Sequence, residues 1–334
     1  MVEQLHQIER AKKNMKGTRE MKLQRINSTN SSLYLRAVMF LLAAVCVLGC
    51  SAHNVKAADS AAQATFVCPA AAGQALQAAS RAQDKDALGH LFGSRAAAIV
   101  NSGDPAEDKG ALQSFVAKYD RMNRWVTMTD GSRVLYIGTD NYAFPIPLVQ
   151  DSESRWYFDT AAGEREIVAR RIGRNELLAI DASTSIANAE ELYRRRFKEY
   201  TQTILGSPEK HDGLHWEVPQ DQPPSPLGRL GDFARIGASS AVNGAPVFDG
   251  YSFRILSAQG DKATGGAKSY MVGGKMAAGF AVIATPVKYQ DSGIMTFIVG
   301  RDGVVYQKDL GPNTADAAAS ITSYNPTEGW TPAE

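Results

Sequence analysis

The chain has 334 residues, 44% of them apolar and 21% charged, with a formal net charge of +1. Residues 1–49 hold eight of the 36 Lys/Arg and three of the 35 Asp/Glu, so the remainder is slightly acidic, 28 against 32. That balance gives nucleic acid no electrostatic footprint, and three cysteines exclude a disulfide-built scaffold.

The first element is an address. Arg36 precedes the apolar run AVMFLLAAVCVLGC, Ala37–Cys50, which is too short for the ~20 residues of a membrane span but has the length of a signal-peptide core. Leu48-Gly49-Cys50 resembles a bacterial lipobox, in which the cysteine is acylated and becomes the mature N-terminus. Cleavage after Val55-Lys56-Ala57 is the alternative, giving a secreted or soluble periplasmic protein. Met21 makes a more ordinary start than Met1, so residues 1–20 read as an over-called start. Residues 51–67, rich in Ala and Ser, read as a flexible tether.

A first α+β unit is expected over 68–160. Cys68 stands at a cap-like position before a helix over Pro69–Phe92. Asp104 caps a second helix with Pro105 at its first position, and Leu112, Phe115, Val116 and Tyr119 share one face. Strands follow at Trp125–Thr129 and Val134–Ile137 around an Asp130-Gly131 turn. Phe144-Pro145-Ile146-Pro147-Leu148 suits a sheet edge, and Trp156–Asp159 closes the unit.

The second unit, 161–334, opens with the longest helical pattern, from Glu164 with a possible interruption at Gly173 and then Asn175–Tyr200. Leu178, Ile186, Ala189, Tyr193, Phe197 and Tyr200 form its apolar stripe. Arg194, Arg195, Arg196, Lys198 and Glu199 read as a solvated face. A proline-rich loop spans 206–248. Strands at Tyr251–Leu256, Tyr270–Val272 and Phe280–Ala284 precede a hairpin turning at Gly300–Gly303. The fold class is α+β: two helices with a small antiparallel sheet, then a long helix packed on a C-terminal antiparallel sheet. In layout alone, this C-terminal half resembles the globular part of pilins and pseudopilins.

Seven ordered segments carry a closer resemblance: SGDPAEDKGALQSFVAKYD (102–120), YAFPIPLV (142–149), RWYFDTAAGEREIVARRIGRNELLAID (155–181), HDGLHW (211–216), SPLG (225–228), GYSFRILSAQG (250–260) and FIVGRDGVVYQKDLGP (297–312). Together they resemble a bacterial family of exported proteins, the domain of unknown function twenty-nine fifty. The likeness implies fold and export; the family brings no activity, cofactor or catalytic residue.

Three constellations bear on chemistry. His211, His215 and Glu217 supply metal-ligand types, but Gly213 and the flanking prolines oppose a helix, and in a strand an i, i+4 pair stands about 13 Å apart. A structural turn around Trp216 is the reading kept. Glu166, Arg170, Arg171, Arg174 and Glu176 form a dense charged segment, either a helix-surface lattice or a ligand clamp. Gly274-Lys275-Met276 lacks the phosphate-loop pattern. No cofactor is expected. The reading is an exported, lipid-anchored, non-enzymatic binding or assembly module, touching the membrane through its lipid and an envelope protein as possible partner. The alternative is a hydrolase of envelope material using scattered carboxylates or the two histidines.

Overall fold

In the computed structural model, residues 63–101, 104–219, 221–228, 245–327 and 329–333 are described. The export signal, Cys50 and most of the expected tether lie outside them. The fold is α+β, and the chain divides into two units between Gly163 and Glu164.

In the first unit, α1 (Pro69–Ala82) starts with its proline in the first turn, where a missing N–H costs nothing. Cys68 precedes it in extended conformation, without a side-chain capping bond. The single helix expected to Phe92 is broken: Gln83 is left-handed at φ 54°, and the Asp84 carboxylate takes the N–H of Ala87 to start α2 (Lys85–Phe92). The capping side chain competes with helix continuation and wins. After a 3₁₀ turn (Gly93–Arg95) and α3 (Ala96–Val100), Asp104 caps α4 (Pro105–Arg121), accepting from Ala106 and Glu107 at 2.8 and 3.4 Å.

The sheet of this unit comprises β1 (Asn123–Thr127), β2 (Arg133–Ile137), β3 (Tyr142–Ala143), β4 (Leu148–Gln150) and β5 (Trp156–Phe158), in order β1-β2-β4-β5 with β3 on β2. The proline segment is not the expected edge. Phe144–Pro147 is connection, and β4 lies inside the sheet between β2 and β5. The prolines fall just before the strand, where no ladder donor is needed, while Ile146 is fully buried. Gly163 lies so close that a Cβ there would stand 2.6 Å from the Ile146 side chain. Leu76, Leu88, Phe92, Leu148 and Phe158 make the main core. The tether also ends earlier than expected. Phe66 exchanges backbone bonds with Trp156 at 2.7 and 2.8 Å, and the Gln63 amide donates to the carbonyls of Leu91 and Phe158.

α5 (Thr160–Phe197) runs 38 residues through Gly173 without a break. Glycine there costs about 1 kcal/mol of helix propensity, and burial of Ala179, Ala182, Ile186, Ala189 and Tyr193 outweighs it. Leu178, expected on that stripe, is only half-buried; Ala179 takes its place. The helix stops at Lys198, left-handed at φ 66°, rather than at Tyr200, whose N–H instead bonds the carbonyl of Met276.

Among the described residues the strands that follow are β6 (Val247–Phe248), β7 (Tyr251–Leu256), β8 (Ala258–Gln259), β9 (Lys268–Ser269), β10 (Met271–Val272), β11 (Lys275–Met276), β12 (Ala281–Pro286), β13 (Met295–Gly300), β14 (Val305–Asp309) and β15 (Thr331–Pro332). The main sheet is ordered β15-β14-β13-β12-β7-β6 and is antiparallel throughout. Cross-strand partners Phe253, Ala284 and Phe297 share one face and join Ala182, Ile186 and Tyr193 of α5 in one core, so the long helix covers that face as expected. On the other face, Arg254 donates to the carbonyls of Ala318 and Ile321, at 3.0 and 2.9 Å, and ties down α6 (Thr314–Ser320).

Candidate functional site

The candidate site lies at the C-terminal end of α5 and in the segment that returns over it. Glu190 sits on the apolar stripe between Ala189 and Tyr193 and is 0% exposed. Its Oε2 accepts the N–H of Thr201 at 3.1 Å, and Oε1 has no partner among the described residues. Burial pushes its carboxyl well above the ordinary carboxylate range; the Thr201 bond opposes this, and Glu191 adds to it. The Thr201 hydroxyl donates to the carbonyl of Asp212 at 2.8 Å, and the Tyr193 hydroxyl to that of His211 at 3.0 Å. Burial first, then Glu199, Glu190 and Asp212, raise the Tyr193 phenol. These bonds clamp 200–216 onto the helix, and buried Glu190 closes the network.

The residues weighed as metal ligands, and read instead as a structural turn, lie in and just after this returning segment. His211 is left-handed at φ 51°, and its ring stacks on Trp216 with centroids 4.6 Å apart. His215 is buried, its backbone bridged to Leu205 and its Nδ1 3.2 Å from the Ser225 hydroxyl. Glu217 is exposed. The sharp turn between the histidines rests on glycine: a Cβ on Gly213 would stand 2.4 Å from the nitrogen of Gly206. Among the described residues, no group of three His, Cys, Asp or Glu is placed to hold a metal.

The charged segment disperses instead of converging. Glu166 and Arg170 form an exposed i, i+4 pair at 2.8 Å. Arg171 pairs with Asp291 and also donates to its carbonyl. Glu176 accepts the N–H groups of Ile294 and Met295 at 2.9 and 3.0 Å, and Arg174 is exposed. Successive helical residues point about 100° apart, so each charge meets a different neighbour. Glu190 was the residue sequence reasoning missed. The available signal was a carboxylate at i+4 from Ile186 on an apolar stripe, where charges are almost never buried unpaired.

The end of the helix is aromatic as well as polar. Phe197 lies between Tyr193, at 4.5 Å, and Trp216, at 6.2 Å between ring centroids. Between helix and sheet, a void of about 10 Å³ borders Ala182, Ile186, Leu227 and Phe253. That is the lower limit for one water.

The model of one protein family, described as Protein of unknown function (DUF2950), matches residues 63–333. No curated protein and no solved structure matches the chain. The match covers both units, the long helix and the His211–Trp216 turn, so the chain belongs to the DUF2950 family of proteins of unknown function.

Proposed function

We propose that this chain is an exported protein of the bacterial cell envelope, held at a membrane by acylated Cys50, and that it works as a binding or assembly module without catalysis. One observation supports the second part. The groups that acid–base or metal chemistry would recruit hold the fold instead: Glu190 on Thr201, Glu176 on β13 and His215 against Ser225. An active site needs such groups converging on an open concavity. The run Ala37–Cys50 supports the address, and no helix of the described residues is long and apolar enough to cross a membrane.

The test labels cells with a radioactive fatty acid and follows the protein with and without Cys50→Ala. Label on the wild type alone is the expected result; equal label on both, or a mature chain starting at Ala58, contradicts the anchor. Incubating the purified protein with isolated cell envelopes tests the module. Cross-linked envelope protein and no soluble fragments are expected, whereas protein-dependent release of fragments would make the hydrolase reading correct.

A further inference from the structure

We infer that the C-terminal end of α5 is a contact surface for the anionic lipid headgroups of the membrane; this deepens the anchored reading and rests on it. Arg194, Arg195 and Arg196 follow one another in the last turn, with Lys198 just beyond. Among the described residues, none of these three arginines pairs with a carboxylate, although Arg81, Arg170, Arg171 and Arg301 each do. The carboxylates that could neutralise them are engaged elsewhere. Glu191 takes Arg301 and the Tyr200 hydroxyl, Glu199 takes Lys275, and Glu190 is buried.

Two of the guanidiniums are held on aromatic rings. Arg194 lies 5.2 Å from the Tyr200 ring, and Arg196 lies 5.2 and 5.6 Å from those of Phe197 and Trp216. Stacking occupies the flat face of a guanidinium and leaves its N–H edge for the paired oxygens of a phosphate. The helix dipole alone favours cations at this end, but it does not require stacked guanidiniums. The cations are not a sample of a basic chain either, because residues 50–334 carry 28 basic against 32 acidic side chains. Arg195, Arg196 and Lys198 are exposed and spread over a helix end, a shape that suits a plane of many phosphates better than one enclosed anion. A chain acylated at Cys50 is held beside such a plane.

The experiment measures sedimentation of the purified full chain with vesicles of phosphatidylcholine, with and without phosphatidylglycerol, at low ionic strength. It uses the Cys50→Ala background, which lacks the acyl anchor, so the phosphatidylglycerol-dependent increment isolates the arginine surface. Juxtamembrane cations contribute about fivefold each to such binding. The triple variant Arg194→Gln/Arg195→Gln/Arg196→Gln should therefore lower the increment by up to about a hundredfold. Arg195→Gln, whose side chain stacks on no ring, should lower it about fivefold without changing the melting temperature. Lys85→Gln, an equal charge change in the first unit, should leave it intact. An increment equal with and without Arg195→Gln, or lost equally in Lys85→Gln, would overturn the inference. So would loss of binding in inorganic phosphate but not in chloride of matched ionic strength, which would assign the arginines to free phosphate.

Discussion

The two units place their charged side chains differently. In the first, the charged side chains work at the surface. Asp84 and Asp104 start helices, Asp130 closes a hairpin turn onto Ser132, and Arg81–Asp120 and Lys118–Asp140 are exposed pairs. In the second, polar groups are drawn inward and join segments distant in sequence. Glu190 is buried, Glu176 and Asn175 reach β13 and the turn before it, and Arg254 reaches across to α6. A surface cap is independent of its surroundings; a buried carboxylate commits everything packed around it. The second unit should therefore lose more per substitution and respond more to pH.

The largest expected effect is on the helix–sheet core. Phe253 is 2% exposed and meets Ala182 and Ile186 of α5, so Phe253→Ala should cost about 3–5 kcal/mol, enough to unfold a marginal domain. Chemical denaturation read by amide hydrogen exchange in each unit separates the outcomes. Loss confined to the second unit is expected; a loss below 1 kcal/mol would place the core elsewhere.

Glu176→Ala should cost about 2 kcal/mol, because it strips a carboxylate from two N–H groups at the entry to β13. Exchange at the amides of Ile294 and Met295 should accelerate selectively. Unchanged protection there would show that the helix does not hold the strand.

Asp104→Ala, in the first unit, should cost about 1 kcal/mol and leave exchange in the second unit unaltered. If it destabilised the second unit as strongly as the first, the contrast between surface and buried use of charge would fail.

The same contrast explains what could be read from the sequence. Local signals were enough for Asp104-Pro105, for the Asp130-Gly131 turn and for the alternation of Tyr251, Phe253 and Ile255. Each is decided within a few residues. The break at Gln83 was missed because its cause, Asp84 capping Ala87, lay hidden in an alanine-rich run that reads as one helix. The persistence of α5 through Gly173 was missed for the opposite reason: tertiary packing overrides propensity. The charged segment at 166–176 looked like one cluster because partners such as Asp291 and Ile294 lie more than a hundred residues away. For the candidate site, the histidines drew attention as ligand types, while Glu190, inside the expected helix, was given no role.

The most direct test of the account is the pH profile of stability for wild type and Glu190→Gln. The amide keeps an oxygen for the Thr201 N–H and never ionises. Because burial raises the folded-state pKa of Glu190, its contribution is fully present below the ordinary glutamate value and is lost as pH rises toward the raised one. Over that window the wild type should fall behind the variant, with a limiting slope of about 1.4 kcal/mol per pH unit for one group. Denaturation midpoints should coincide below the ordinary glutamate value, then diverge in favour of Glu190→Gln as pH rises above it. Parallel profiles across that range would mean that Glu190 titrates as an exposed glutamate and that the network at the end of α5 is open to water.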